Sequence, residues 1–449
     1  MPRSRRPTRR RRSPWRPLPP GFGALWTTVA VDLIGFGIVF PILPRYAQDL
    51  NASPTTVGLV VASFSLAQLA CAPLMGRLSD RFGRKPVLLV SLCGTAIGSV
   101  MTGLAHSVAL LLLGRIVDGA SGASVSVAQA AVADVASPSE RPRLFGLLGA
   151  AFGVGFVLGP AIAALAALDT PRLPFFVAAA IAAVNAVVAV RRLPETRPAR
   201  AVPAPAAART PTEEPTPAAA AASTAPAGEG LGRDEPSDRL VPGLEPPGRT
   251  GPLSGLPGGV VRLMVVAFAA LVAFSGFEAT FALLVERRLQ LTLSSTAGVF
   301  TAIGAALVVV QVTLVHPAVA RLGETGALRA GLGANAAGLL LLALDAGWPG
   351  IGVALVLLVV GQGLVTPTMA SAVAALAPAR RRGQVLGAQQ SAGSLARVVG
   401  PTVAGVLFGQ VSVVAPYLAG GALVVVAVLL VPAARSSRDR RAATVPLGT

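Results

Sequence analysis

Residues 76–86 read GRLSDRFGRKP, a polar stretch that separates two apolar runs at about residues 56–75 and 87–105. Each run has the roughly 20 residues that a helix needs to cross the hydrocarbon core of a membrane, which is about 30 Å thick. The polar stretch is rich in arginine and lysine, which concentrate on the cytoplasmic side of membrane proteins. It therefore predicts two membrane-spanning helices joined by a cytoplasmic loop.

The composition of the whole chain agrees with this local pattern. Of its 449 residues, 53% are apolar and only 13% are charged, and the mean hydropathy is +0.68. Soluble globular proteins do not have this composition, so we predict an all-α membrane protein. The predicted spans cover about residues 23–46, 56–75, 87–105, 108–131, 144–167, 173–190, 261–285, 294–317, 327–344, 349–373, 384–408 and 413–432.

The two sets of six spans resemble one another. Residues 145–160, FGLLGAAFGVGFVLGP, align at a constant offset with residues 386–401, LGAQQSAGSLARVVGP. Gly159 then meets Gly400, and Pro160 meets Pro401. Such a repeat predicts a duplicated transporter fold of two pseudo-symmetric six-helix bundles, with the substrate site near the bilayer midplane between them.

Composition also divides the chain into five parts. We predict a basic cytoplasmic arm at 1–20, a first bundle at 21–192, a disordered cytoplasmic linker at 193–259, a second bundle at 260–433 and a cytoplasmic tail at 434–449. The linker lacks a sustained apolar period and cannot bury enough surface to fold. The basic residues on the side assigned to the cytoplasm far outnumber those on the other side, which are Arg45, Arg172, Arg287 and Arg288. This distribution predicts a multi-pass protein of the inner (cytoplasmic) membrane with both termini in the cytoplasm.

Several functional classes are excluded. The net charge of +18 follows the membrane topology and not a nucleic-acid-binding module, so no nucleic-acid partner is expected. The two cysteines lie in apolar segments and only two histidines are present, so we expect neither a metal site nor a cofactor. Lys85 does not stand in a phosphate-binding loop, which excludes an ATP-driven pump. No nucleophile with a neighbouring base is visible, so the chain is not expected to be an enzyme.

A few ionisable residues fall inside the predicted spans, where an unpaired charge is unfavourable by at least ~2.5 kcal/mol and normally faces a cavity and a partner. We treat them as proton-coupling or cavity residues: Asp32, Arg115, Asp118, Glu278 and Arg397. The neutral candidates for substrate contact are Gln129, Gln311, Gln362 and Gln390. Each charge also has a structural explanation. Asp32 could serve helix packing, and Arg397 could brace the bundle.

The fourth span carries the strongest pattern. Arg115, Asp118, Gly122, Ser126 and Gln129 follow steps of three and four residues, which predicts one polar stripe along a single helix. Two readings stay open for the first two residues. They form an ion pair that only neutralises both charges, or they form a proton site whose affinity changes when a conformational change separates them.

The fifth span contains glycines at spacings typical of close helix packing, followed by a proline that bends the helix. These residues are Gly146, Gly155, Gly159 and Pro160. They predict a tight helix contact, and a smooth contact of this kind suits a transporter whose halves rock against one another.

Four motifs in this order resemble those of the major facilitator superfamily. They are residues 76–86, DLIGFGIVFPILP at 32–44, LLLGRIVDGASGA at 111–123 and the glycine pattern of 146–160. Together they are similar to the twelve-helix drug:proton antiporters, and residues 114–135 and 174–188 look most like the tetracycline-exporter branch. Asn335 lies in the ninth span, where those exporters have a carboxylate, so the resemblance does not by itself imply tetracycline as the substrate.

The resemblance implies roles for particular residues. A cytoplasmic gate would be formed by Gly76, Asp80, Arg81, Gly83, Arg84 and Lys85. Arg115 would take part in proton transfer, and the glycine pattern ending at Pro160 would be the antiporter hinge. We therefore predict a monomeric secondary transporter that exports small, largely apolar compounds in exchange for protons by alternating access. The alternative is a proton-coupled importer or a facilitator of a small metabolite.

Overall fold

The structure is a computed structural model that describes residues 18–135, 140–195, 257–344, 347–377 and 382–431. Most of the predicted arm and linker, and all of the predicted tail, lie outside these residues. Within the described residues every regular element is a helix.

In the described part of the first half, seven helices form six spans. They are α1 Phe22–Asp49, α2 Pro54–Phe82, α3 Arg84–Gly103, α4 Val108–Ser121, α5 Ser124–Val135, α6 Arg141–Ala166 and α7 Leu173–Arg192. Serine side chains cap the N-termini of two of these helices, since the hydroxyl accepts a hydrogen bond from a free N–H of the first turn. Ser53 caps α2 and Ser107 caps α4. Helices α4 and α5 together form the fourth span.

The second half repeats this order. Its helices are α8 Gly258–Leu289, α9 Leu293–Thr313, α10 Val315–Ala343, α11 Gly347–Leu376, α12 Arg382–Val406 and α13 Ala415–Leu430, with a π-helical turn at Leu407–Val411. Thr292 caps α9 through its side chain. Helix α10 begins before the predicted ninth span and is kinked at Gly323, whose φ of 72° is in the left-handed region that favours glycine.

Eleven spans of the described chain are long and apolar enough to cross a membrane, with α4 and α5 counted together, and the apolar helix Ala415–Leu430 is shorter. The predicted fold class, an all-α membrane protein with two related sets of six spans, is confirmed. The halves also share details of packing. Lys85 donates to the carbonyl of Val190 at the end of α7, and Arg329 donates to the carbonyl of Val431 just after α13.

Glycines allow close helix contacts within each half. In the first half, Gly37 of α1 lies against Gly155 and Gly159 of α6, with no space for a side chain at the contact. In the second half, Gly276 of α8 lies against Gly400 of α12. The aligned glycines of the repeat therefore occupy equivalent contacts, each between the first and fifth spans of a half.

The two halves contact each other through a second set of glycines. Gly58 of α2 packs against the backbone of α12 at Pro401 and Gly405, and Gly304 of α9 packs against the backbone of α6 at Phe156. Each half thus presents a glycine of its second span to the fifth span of the other half. This exchange is symmetric, as the sequence repeat leads one to expect.

These contacts between halves extend from the middle of the bundle toward the end that carries the turns at 50–53 and 290–292, which we call the closed end. At the opposite end, the open end, the first half has its own apolar core around Phe22, Leu88 and Leu144. Leu74 of α2 and Val312 of α9 are 54% and 75% exposed there. The apolar core and the glycine contacts that join the halves therefore lie in the middle of the bundle and toward the closed end.

Candidate transport site

The fourth span is interrupted in the middle of the bundle. Helix α4 ends at Ser121, Gly122 has a non-helical ψ of 53°, and α5 begins at Ser124. The predicted single stripe from Arg115 through Ser126 to Gln129 is therefore wrong. Arg115 is buried, whereas Ser126 and Gln129 beyond the break are exposed. The physical reason is that glycine favours the helix weakly and that side chains of other helices replace the missing helical hydrogen bonds.

Two polar side chains hold the interruption. The Gln68 amide of α2 donates to the carbonyl of Gly122 at 2.6 Å. The Ser91 hydroxyl of α3 donates to the carbonyl of Ser121 and accepts from the N–H of Ala123. Non-helical backbone at membrane depth is stable only where other protein groups or water in a cavity form hydrogen bonds with its N–H and C=O groups. Gln68 and Ser91 supply these hydrogen bonds, and neither residue was predicted from the sequence.

Asp32 of α1 lies at the beginning of the second helical segment. The hydroxyl of Ser124, the first residue of α5, donates to Asp32 Oδ2. Asp32 Oδ1 is buried and has no hydrogen-bond partner among the described residues. A helix N-terminus carries partial positive charge and favours a carboxylate, as in interrupted helices of other transporters. The fold therefore gives Asp32 one satisfied oxygen and one oxygen free to take a proton.

Arg115 and Asp118 form the ion pair that their spacing suggests. Arg115 Nη1 lies 2.7 Å from Asp118 Oδ2, and the two residues are 4% and 6% exposed. Thr95 of α3 also hydrogen-bonds Asp118, and the guanidinium lies 4.7 Å from the centroid of the Phe64 ring. The charge of Asp118 acts electrostatically on Asp32. Asp32, Arg115 and Asp118 therefore belong to one site in the first half.

The predicted residues of the second half are less closely grouped. Glu278 of α8 is half-buried and interacts electrostatically with Arg397 of α12, which is exposed. Gln362 accepts a hydrogen bond from Asn335 at 3.4 Å. The other neutral candidates, Gln129, Gln311 and Gln390, are exposed. The second half therefore has two opposite charges that interact electrostatically and a separate pair of hydrogen-bonded amides.

The predicted gate loop forms an ion-pair network at the open end. Arg84, the first residue of α3, lies 2.6 Å from Asp80 in the last turn of α2 and 2.8 Å from Asp134 at the far end of α5. Gly83 has a φ of 105°, which favours glycine at this turn. The Arg81 guanidinium lies over the ring of Phe82, and a Cβ atom at Gly76 would have no neighbour within 4 Å. Asp134 was not among the predicted residues.

Glu195 attaches the segment after α7 to the same loop. Its carboxylate accepts from the backbone N–H of Arg84 at 2.8 Å and of Lys85 at 3.1 Å. These are free N–H groups of the first turn of α3, where a carboxylate is favourable. Sequence reasoning placed Glu195 in the linker, and only its position directly after an apolar helix could have indicated this contact.

The predicted hinge glycines have different surroundings. Gly155 and Gly159 lie against α1, whereas a Cβ atom at Gly146 would have no neighbour within 4 Å. Pro160 lies inside α6. The tight contact is therefore within the first half, and α6 reaches the second half through neighbouring positions, where Ser294 donates to the carbonyl of Ala164 at 2.7 Å.

An ion pair joins the two halves at the closed end. Arg45 of α1 contacts Glu286 of α8 directly, and Asp49 lies 3.6 Å from the same guanidinium. Glu286 Oε2 is buried without a hydrogen-bond partner in the described part of the chain. We call this contact the closed-end ion pair. Sequence reasoning counted Arg45 only as a topology marker.

Comparison with known proteins agrees with this architecture. The sequence pattern of the Major Facilitator Superfamily matches residues 25–343 and 263–447. Tetracycline resistance protein class B of Escherichia coli is 38% identical over 173 residues, which is 38% of this chain and 43% of that relative. Class C of Escherichia coli is 28% identical over 84% of this chain and 86% of that relative. The crystal structure of the human organic anion transporter MFSD10 (TETRAN) is 26% identical with a TM-score of 0.63, covering 92% of this chain and 100% of that one.

The fold and the site define a multi-pass membrane transporter of small molecules, and the chain is not an enzyme. The chain belongs to the major facilitator superfamily, and its relatives include tetracycline resistance proteins. The alignment with the class B protein spans less than half of that relative.

Proposed function

We propose that the protein exports small, largely apolar compounds from the cytoplasm in exchange for protons, by alternating access and as a monomer. One observation carries the proposal. A carboxylate with a free, buried oxygen lies at an interrupted span, beside a buried ion pair, in the middle of the bundle. Ionisable groups at this depth are unfavourable unless they pair or face a water-filled cavity, and they commonly mark a transport pathway.

Helix α5 offers a physical link between proton binding and the gate. Its first residue, Ser124, donates to Asp32, and Asp134 at its other end pairs with Arg84 of the gate loop. Protonation of Asp32 removes the negative charge that attracts the N-terminus of α5. A shift of this short helix would then reach the gate loop through Asp134.

Alternating access requires that the closed-end contacts separate as the open end closes. The closed-end ion pair and the glycine contacts at Gly58 and Gly304 are the interactions that must separate. With the basic arm in the cytoplasm, as the positive-inside rule favours, the open end faces the cytoplasm. The structure would then be the state that takes up a compound for export.

Export is favoured over import by the names of the tetracycline resistance relatives. The human relative, named as an organic anion transporter, keeps the transport of a metabolite as the second candidate. Expression in drug-sensitive cells separates the two. Export predicts higher tolerance to some members of a panel of toxic compounds and unchanged growth on single carbon sources, whereas unchanged tolerance with altered growth on one carbon source would favour import.

A further inference from the structure

Seven phenylalanines form a continuous series of ring contacts from the first half to the second. Successive ring centroids lie 5.5, 5.9, 6.0, 5.7, 5.1 and 5.7 Å apart. In order, the phenylalanine row consists of Phe64, Phe36, Phe40, Phe300, Phe281, Phe277 and Phe274. The contact between Phe40 of α1 and Phe300 of α9 joins the halves. Aromatic rings at these separations attract each other beyond their buried area.

The phenylalanine row lies between Asp32 and the closed-end ion pair. Along α1, Phe36 and Phe40 follow Asp32 by four and eight residues, which places them about 6 and 12 Å closer to the closed end. Arg45 of the closed-end ion pair lies about 8 Å beyond Phe40 on the same helix. The row therefore separates the carboxylate of Asp32 from the closed end.

Close packing surrounds the row where it passes from one half to the other. Gly304, one turn from Phe300 on α9, contacts the backbone of α6, and Gly58, which precedes Phe64 on α2, contacts the backbone of α12. Phe300 and Phe281 are 8% and 0% exposed and belong to one buried apolar cluster with aliphatic side chains of α1 and α2. The rings therefore stand in a packed layer that joins the two halves.

The row and the hydroxyl groups next to it provide no chain of hydrogen bonds. Protons move along chains of water and hydrogen-bonding groups, and a hydrophobic constriction blocks such a chain because water leaves it. A phenylalanine ring has no N–H or O–H group. Ser63, Thr280 and Thr301 lie beside rings of the row, and each donates to a backbone carbonyl of its own helix, at 2.8, 2.9 and 3.0 Å. These hydroxyls are therefore occupied within their helices.

Charged groups lie beside the row and not within it. The Arg115 guanidinium lies over the ring of Phe64, 4.7 Å from its centroid, and such a cation is attracted to the ring. Gly119 of α4 contacts the backbone of α2 at Phe64, which fixes this end of the row beneath Arg115. Glu278 of α8 directly follows a ring of the row and so points to an adjacent face, and it interacts electrostatically with Arg397.

We propose that the phenylalanine row is a proton barrier, which keeps protons at the closed end from reaching Asp32, and that it opens between Phe40 and Phe300. Those two rings form the contact of the row that crosses between the halves, so they must separate when the halves rock. This inference rests on the proposed function. It adds the residues that keep proton entry tied to the export of a compound, because exchange is tight only if protons cannot pass on their own.

Proton entry into liposomes in the absence of any transported compound tests the inference. The purified protein is reconstituted with a pH-sensitive dye inside the liposomes, and a pH gradient is imposed. Potassium on both sides and valinomycin prevent a membrane potential from opposing the flow. We expect liposomes with the parent protein to take up protons no faster than protein-free liposomes. A parent protein that leaks as fast as the variants below would contradict the barrier.

Phe40→Ser and Phe300→Ser break the contact between the halves. Serine is chosen because an apolar void can stay dry, whereas a hydroxyl holds water. We expect each variant to take up protons at least about threefold faster than the parent protein, since one hydrogen bond to a passing water changes the rate by about 2- to 13-fold. Unchanged proton entry in both serine variants would overturn the proposal.

Two matched controls accompany these variants. Phe40→Leu keeps the contact apolar and should leak no faster than the parent protein. Phe268→Ser makes the same change at a half-buried phenylalanine of α8 outside the row and should also stay at the parent rate. If a serine variant does not fold, as judged by gel filtration in detergent, Phe40→Thr or Phe300→Thr replaces it with the same expectation. Equal leak through Phe268→Ser would show that the row has no special role.

A double variant separates this inference from the proposed function. Proton flow through the transport cycle requires the carboxylate of Asp32, whereas flow through a wetted barrier does not. The leak of Phe40→Ser should therefore persist in Phe40→Ser/Asp32→Asn, and its loss there would overturn the barrier. If the parent protein shows no gradient-driven export but Phe40→Ser still leaks and the controls do not, proton-coupled export is refuted and the barrier is retained.

Discussion

The buried ion pair between Arg115 and Asp118 gives the most quantitative prediction. The two residues are 4% and 6% exposed and share a 2.7 Å contact. Asp118→Asn keeps the shape of the side chain but leaves the guanidinium buried without its counter-charge. Removing one member of a buried pair destabilises a protein by about 3–5 kcal/mol. We therefore expect Asp118→Asn and Arg115→Gln each to lower the free energy of unfolding by about this amount.

The double variant separates pairing from other effects. Because both charges are then absent, we expect Arg115→Gln/Asp118→Asn to lose at least about 2 kcal/mol less than the sum of the single losses. Reversible unfolding in mixed micelles with increasing SDS measures these values. Asp169→Asn, at an exposed position in a closed-end turn, is the control and should stay within about 0.5 kcal/mol. Additive losses would refute the ion pair as an energetic unit.

Transport by the same double variant decides between the two readings of the pair. If the pair only neutralises two charges, the double variant should transport like the parent protein. If the pair belongs to the proton site, the folded double variant should bind substrate but lose gradient-driven transport. Normal gradient-driven transport by the double variant would remove both residues from the proton site.

Two further predictions concern the contact between the halves at the closed end and the helix contact within the first half. Glu286→Gln breaks the closed-end ion pair, so a cysteine in place of Ser294, in a background without native cysteines, should react several-fold faster with a water-soluble maleimide. Exchanging the charges, Arg45→Glu with Glu286→Arg, should restore slow labelling, and fast labelling of the exchanged variant would contradict the pairing. Gly155→Leu should abolish folding or transport, because a Cβ there would lie 2.6 Å from the Leu33 carbonyl oxygen. Gly146→Leu, where nothing lies within 4 Å, is the matched control, and equal loss in both variants would argue against the helix contact.

The sequence predicted the number and order of the spans because each has a long apolar run that only a membrane helix accommodates. The aligned glycines predicted a duplicated fold, and the structure places Gly159 and Gly400 in equivalent helix contacts. The interruption at Gly122 was not predicted, since the apolar pattern continues through it. Its hydrogen bonds come from Gln68 and Ser91, which become neighbours of the fourth span only when the bundle folds.

Only part of the site was predicted, because some of its residues have partners that are distant in the sequence. Charges inside apolar runs, such as Asp32 and Asp118, are conspicuous because they are unfavourable in lipid. Asp134, Glu195 and Glu286 stand at or just beyond helix ends, where a charged residue ordinarily faces water. Their partners are far along the chain, so only the fold shows that Asp134 pairs with Arg84 and Glu286 with a residue of the other half.

Proton coupling through Asp32 is tested most directly with purified protein in liposomes under an imposed pH gradient. The measurement compares accumulation of a compound identified by the tolerance panel with exchange of the same compound at equal pH on both sides. For Asp32→Asn we expect accumulation to be lost and exchange to persist, while the Asp169→Asn control keeps both. Undiminished accumulation by Asp32→Asn would contradict the assignment of the proton to this carboxylate.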